Sequence, residues 1–132
     1  MVIDTSALIA VLMGEPDAAR LANAISVGST RLISAASLVE TSIVIESRKG
    51  DAGGRELDLL LYRTDVEIIA VDQGQAELAR LAWRRYGRGR HPASLNYGDC
   101  FSYALAKSRR LPLLFIGNDF AQTDIEPVPL AP

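Results

Sequence analysis

Four short apolar runs, spaced along the chain with helical patterns between them, constrain this sequence more than any other feature. They are Val2–Ile3, Arg31–Ser34, Val66–Val71 and Pro112–Ile116. The segments between them carry apolar residues at helical spacing. Strands that alternate with helices in this way build a mainly parallel sheet covered on both faces. The expected architecture is α/β, with a central sheet of four or five strands flanked by helices on both sides. A chain of 132 residues suits one domain, residues 1–132, with a real core. Residues 126–132, with Pro127, Pro129 and Pro132, form a tail that holds at most a short edge strand.

Taken in order, the first run ends at Asp4, and Thr5 or Ser6 caps a helix through Leu8, Ile9, Val11 and Leu12. Gly14 stops it, and Pro16 sits at the opening of a second helix, whose buried stripe includes Leu21 and Ile25. The second run leads to a third helix capped at Ser34 or Ser37. Leu38, Ile43 and Ile45 argue for its burial, and Glu40 lies near its first turn. The GDAGG segment reads as a loop before a helix around Glu56–Arg63. Gln73–Tyr86 is a long helix, followed by a loop without apolar periodicity. Asp99–Arg110 is helical again.

The composition excludes several classes of protein. A hydrophobic content of 48% argues against disorder, and the broken apolar runs leave nothing to span a bilayer. The start does not read as a signal peptide, because Asp4 falls where the apolar region would begin. Cys100 is the single cysteine, which rules out an internal disulfide and makes a reducing, cytoplasmic setting the default. A single His91 cannot furnish a histidine-rich zinc site. The net charge of −2 hides segregation, since Arg80, Arg84, Arg85, Arg88 and Arg90 crowd one stretch.

Four acids stand apart by their setting. Asp4 ends the first strand, Glu40 lies on the helix after the second, Asp99 opens the helix before the fourth, and Asp119 follows that fourth strand. Ligands in open α/β sheets bind outside the carboxyl ends of the strands. Asp99 reaches that edge only if the long loop before it crosses back over the strand ends. Gathered carboxylates repel one another, and a hard divalent cation offsets that repulsion. Such an ion can hold a phosphate oxygen and lower the pKa of an attacking water. Other readings stand beside this one. Asp4 and Asp99 can serve as helix caps, Glu40 can face solvent, and Asp119 competes with Asp124 and Asn118.

With these residues in view, the chain resembles the PIN-domain ribonucleases of the VapC type, the toxin halves of bacterial and archaeal toxin–antitoxin pairs. The match runs nearly end to end. It rests on VIDTSALIAVL, on SLVET, on HPASLNYGDCFSYALAK and on LLFIGNDFAQTDI. The resemblance implies a single PIN-like domain and an endoribonuclease dependent on Mg²⁺, with Mn²⁺ as a substitute. It builds the acidic pocket from Asp4, Glu40, Asp99 and Asp119, with Ser6 and Asn118 as small polar helpers. Asp4, Asp99 and Asp119 would hold the metal, and Glu40 would orient or deprotonate the attacking water. The implied products carry a 5′-phosphate and a 3′-hydroxyl.

An acidic pocket without its metal repels RNA, so the substrate must be held from the rim. Arg84, Arg85, Arg88 and Arg90 are the candidates, since guanidinium groups form bidentate phosphate contacts. The alternative is an ordinary solvated helix end, where cations are favoured. The resemblance also implies a VapB-type antitoxin as partner, a homodimer and a larger toxin–antitoxin assembly. The early helices, LIAVL and ARLANAI, and the third, LVETSIVI, carry more apolar side chains than one small core needs; some suit a partner groove or a dimer face, and core packing alone is the alternative. The competing functions are a catalytically idle PIN fold that only binds RNA or protein, and a structure-specific DNA nuclease. Transfer-RNA and ribosomal-RNA loops are the expected substrates.

Overall fold

The computed structural model describes residues 1–132. Its four strands are β1 (Val2–Ile3), β2 (Leu32–Ser34), β3 (Glu67–Ile69) and β4 (Leu113–Leu114). Six helices accompany them: α1 (Thr5–Leu12), α2 (Ala18–Val27), α3 (Ala35–Lys49), α4 (Asp51–Arg63), α5 (Gln73–Tyr86) and α6 (Tyr97–Arg109). All strand pairs are parallel, in the order β3-β2-β1-β4. The chain steps outward from β1 to β2 to β3, then returns to place β4 on the other side of β1. The strand order therefore reverses beside β1, at the crevice where α/β sheets take their ligands.

Side chains alternate across the strands and divide the core in two. Val2, Leu32 and Leu113 face α5 and α6, packing with Tyr103, Leu105 and Ala82. Ile3, Ile33 and Leu114 face the other layer, with Leu8, Leu21, Ile25, Ile45 and Leu57 from α1 to α4. Both residues of β1 are fully buried. The tail runs beside β4: Leu113 N donates to Glu126 O, Val128 N donates to Leu113 O, and Pro127 makes a single parallel bridge.

Local details differ from the expectations in instructive ways. Pro16 lies before α2 rather than within it, and Asp17 occupies the position ahead of that helix. Ser34 caps α3 by accepting from Ala36 N at 3.3 Å, which places Glu40 in the second turn rather than the first. Ile43 is not core but 62% exposed. The GDAGG segment is not a loop, because Gly50 separates α3 from α4 and the rest begins α4. Glycine lowers helix propensity, but tertiary packing overrides it here. A Cβ on Gly53 would lie 2.8 Å from the Ile45 carbonyl oxygen, so α4 approaches α3 this closely only because Gly53 has none.

These two neighbouring glycines therefore respond oppositely to alanine. At Gly54 an added Cβ meets the exposed, flexible Glu46 side chain at 3.0 Å, whereas at Gly53 it meets backbone. Gly54→Ala is expected to raise stability by roughly 0.5–1 kcal/mol, the usual helix-interior gain. Gly53→Ala is expected to lower it by about 1–3 kcal/mol through overpacking. Urea denaturation checks both, and equal effects at the two positions would contradict the packing account.

Candidate active site

Asp4 follows β1 directly, with its backbone N–H donating to Leu114 O of β4 at 2.9 Å. Its carboxylate is 3% exposed. One oxygen accepts from Ser6 N at 3.0 Å, capping α1, and the other accepts from Ser102 Oγ at 2.5 Å. Capping and site formation are thus the work of one side chain. Ser6 reaches across the crevice, its hydroxyl accepting from Ile116 N at 3.1 Å. That bond ties the start of α1 to the segment leaving β4.

Asp99 sits at the third position of α6 and forms a capping box with Asn96. Asn96 N donates to the Asp99 carboxylate at 3.0 Å, and Asp99 N donates to the Asn96 side chain at 2.9 Å. The same helix presents Ser102, one turn on, to Asp4. Helix α6 therefore crosses the strand ends as the acidic pocket requires. Ser102 is in turn within 3.1 Å of Ser37 Oγ on α3, so a buried chain of hydroxyls links α6, α3 and β1.

Glu40 is half-buried on α3. Thr5 Oγ1 donates to its carboxylate at 2.7 Å, and Thr41 Oγ1 donates to the Ser37 carbonyl at 2.7 Å while lying 3.1 Å from Thr5 Oγ1. Gly98 gives the carboxylate room: a Cβ there would fall 2.0 Å from Glu40 Oε2. The first turn of α6 thus lies directly against Glu40. Asp119 is exposed beyond β4, just before a short 3-10 turn at Phe120–Gln122, and Asn118 is exposed beside it. Asp124 is committed elsewhere, accepting from Tyr103 Oη at 2.7 Å and pairing with Lys107 at 2.9 Å.

The electrostatics tie the four acids together. Burial pushes the Asp99 carboxyl up to about 7, against the opposing pull of its bond from Asn96 N. The charges of Asp4, Asp119 and Glu40 raise it further. Burial also raises Glu40; the Thr5 hydroxyl offsets part of that shift, and the charge of Asp4 adds to it. None of the four ion pairs in the molecule involves any of these acids. Partly buried carboxylates that repel one another and have no cationic side chain suit a bound cation.

No group of three carboxylates, histidines or cysteines converges to chelate a bare ion. A hard divalent cation that keeps several waters and takes only one or two direct carboxylates would suit such a spacing. The donor set is all oxygen, as a hard cation requires. Residues Asp4, Asp99 and Asp119 would hold it.

Sequence reasoning missed Thr5, Ser37, Thr41, Ser102 and Gly98. Ser102 carried a signal, since it lies three positions after Asp99 on one face of an otherwise apolar helix. Gly98 carried one too, as a glycine inside the first turn of a helix. The arginines separate in space. Arg84 and Arg88 line a cleft of about 770 Å³ between α5 and α6. Arg90 lies over the Trp83 ring at 4.2 Å, and Arg85 is near enough to Tyr103 to act on its phenol.

A PIN-domain family profile matches residues 1–126. The chain is 61% identical over 128 residues to a ribonuclease VapC of Mycolicibacterium smegmatis, an alignment covering 97% of this chain and 99% of that protein. It is 58% identical over 130 residues to ribonuclease VapC30 of Mycobacterium tuberculosis, covering 98% and 99%. The crystal structure of M. tuberculosis VapC20, a sarcin–ricin-loop-cleaving toxin, superposes with a TM-score of 0.79 at 18% identity. That superposition covers 96% of this chain and 97% of the other, and at such identity it speaks for the fold alone. A toxin–antitoxin complex from Klebsiella pneumoniae superposes at 0.69 with 22% identity, over 93% and 92% of the two chains.

The raised Asp99 carboxyl sets a pH dependence. Its folded-state value of about 7 lies above the ordinary aspartate value near 3.9, so the folded protein binds more protons between them. Its contribution to stability is complete below about pH 4 and is lost as the pH rises through about 7. In EDTA, the melting temperature of the wild type is expected to fall more steeply over that window than that of Asp99→Asn, which keeps only the share from the raised Glu40. Added Mg²⁺ should raise the melting temperature more at pH 8 than at pH 6, because a metal ligand must be deprotonated. Identical pH profiles for the two proteins in EDTA would contradict the assignment.

Proposed function

The chain belongs to the VapC ribonucleases of the PIN-domain family, and on that footing we propose that it is a Mg²⁺-dependent endoribonuclease toxin. Its substrates are phosphodiester bonds in loops of transfer or ribosomal RNA, and cleavage there inhibits translation and growth. The carrying observation is that the charges of Asp4, Asp119 and Glu40 act on the partly buried Asp99 carboxyl while no ion pair neutralises any of the four. Mn²⁺ is the natural substitute. When bound, the cation supplies charge neutralisation at the scissile phosphate and acidifies water.

The chain's own residues divide the remaining work. Asp4, held rigid by Ser102 and the start of α1, provides a fixed carboxylate at the end of β1. Asp99 presents a second from the capped start of α6. Asp119, exposed past β4, reaches the same space from the loop side. Glu40 is suited to take a proton from the attacking water, because burial raises its carboxyl from the ordinary value. Thr5 donates to one of its oxygens, and Gly98 leaves the space it occupies. In-line attack then leaves a 5′-phosphate and a 3′-hydroxyl.

Control by a VapB-type antitoxin belongs to the same proposal, as do a homodimer and a cytoplasmic setting. No helix is long and apolar enough to cross a membrane. Val39 and Ile43, on the turns of α3 that flank Glu40, are 58% and 62% exposed and offer apolar surface beside the acids. A basic side chain delivered from there would meet carboxylates that have no cation of their own. An idle binding module would have no use for a glutamate housed in this way.

Cleavage of total bacterial RNA should require Mg²⁺ or Mn²⁺ and stop in EDTA. Glu40→Gln is expected to lose about 100-fold or more in rate, the usual scale for a general base. Asp4→Asn and Asp99→Asn should fall at least as far while remaining folded by circular dichroism. Full Mg²⁺-dependent cleavage by the folded Asp4→Asn and Asp99→Asn proteins would sink the reading.

A further inference from the structure

The cleft between α5 and α6 is not used by the acidic pocket, yet it adjoins it. Its volume is about 770 Å³, and its lining includes Arg80, Arg84 and Arg88 along with Trp83, Tyr97 and Phe101. The cationic and aromatic residues are therefore interleaved in one concavity. The one acid of α6 lies within this stretch: Asn96, Tyr97 and Cys100 line the cleft, while Gly98 lies against Glu40 and Asp99 is coupled to the other carboxylates. The first turn of α6 is thus shared by the cleft and the acidic pocket.

Its aromatic side chains are poorly explained by the core. Tyr97 is 81% exposed and Trp83 is 44% exposed. Both are nonetheless held in place. Tyr97 meets Phe101 edge-on at 4.9 Å between ring centroids. The Trp83 indole is pinned twice, by the Arg90 guanidinium over its ring and by Gly87, where a Cβ would lie 2.4 Å from Cδ1. Arg90 is outside the cleft lining, so the guanidinium braces the ring without filling the space. Pre-positioned rings beside unpaired guanidinium groups are what stack a base and hold its phosphates. Of the three cleft arginines, only Arg80 has an acidic partner, the exposed Glu77 at 3.0 Å.

We propose that this cleft is a nucleobase subsite, which stacks an unpaired base flanking the scissile phosphate on Trp83 and Tyr97. Arg84 and Arg88 hold the adjoining phosphates. The proposal rests on the ribonuclease reading and adds to it where the strand lies and why single-stranded loops are preferred. An unpaired base is the occupant that the mixed charge and aromatic surface matches. An acidic pocket on one side and arginines on the other give the strand one bend and one direction. Stacking tolerates any base, because every base has a π-face, so target choice must arise elsewhere.

Trp83 is the single tryptophan of the chain, so its emission reports on the cleft alone. The test adds a short, end-labelled oligoadenylate to the full-length protein in Ca²⁺, and follows tryptophan emission together with the label's anisotropy. The same preparation is assayed for Mg²⁺-dependent cleavage of total RNA. The expected result is saturable quenching that tracks anisotropy, and no quenching by an abasic strand of the same length. Tyr97→Ala should weaken binding about tenfold with an unchanged salt dependence. Arg84→Ala and Arg88→Ala should each flatten the salt slope by roughly 0.7.

Cleavage and binding with silent Trp83 emission and an unaffected Tyr97→Ala protein would overturn the subsite and leave the ribonuclease reading intact. Absence of both binding and cleavage would remove the two together. Emission that changes with protein concentration alone would assign the cleft to a second copy of the chain and overturn the proposal. Quenching by a VapB-type antitoxin peptide but not by RNA would overturn it likewise.

Discussion

A carboxylate buried at the end of a fully buried strand must be held by something, and much of this structure answers that requirement for Asp4. Its two oxygens take one backbone donor from α1 and one hydroxyl from α6. Neither donor carries a positive charge. A buried, uncompensated charge is costly, whereas a hydrogen-bonded one that faces a cation site is tolerable. The same logic extends outward. Ser102 meets the Ser37 hydroxyl, the Ser37 carbonyl accepts from Thr41, the Thr41 hydroxyl lies against that of Thr5, and Thr5 donates to Glu40. Two of the four acids are thus fixed by one buried polar chain that also joins α3 to α6.

This network explains why the acids differ in character although they share a pocket. Asp4 is almost fully buried, Glu40 and Asp99 are intermediate, and Asp119 is exposed. Burial and mutual repulsion raise Glu40 and bring Asp99 to about 7. In the proposed reading a bound cation would organise this pocket, and a proton would compete for its place. The cleft beyond Asn96 continues the site with opposite charge, so one surface passes from anionic to cationic within the first turn of α6.

The parallel sheet, the α5 helix and the strand-end position of Asp4 were legible in the residues, because their signals are local. The position of Asp99 was not legible from pattern alone. It depends on α6 lying across β1, a contact made by Ser102 to a residue near the other end of the chain. The glycines of α4 misled for a related reason. Their loop signal is real, but Gly53 is there for its close approach to Ile45. Ile43 misled in the opposite sense, as an apolar residue that stays exposed beside the acids. Gly98 is the clearest case of what spacing cannot convey, since its role is the space it leaves for Glu40. The arginine stretch looked like one arm in the sequence, and the helix periodicity of α5 sends Arg84 and Arg85 to different surroundings.

The central proposal is that Asp4, Asp99 and Asp119 hold one divalent cation at the β1–β4 crevice, with Glu40 beside it. Paramagnetic Mn²⁺, titrated into isotopically labelled protein, tests it most directly through distance-dependent broadening of backbone amide signals. The account predicts early broadening at Asp4, Glu40, Asp99 and Asp119 and their neighbours, abolished by excess Mg²⁺ and by Asp99→Asn. Broadening centred on any other part of the surface, or none at these residues, would contradict it.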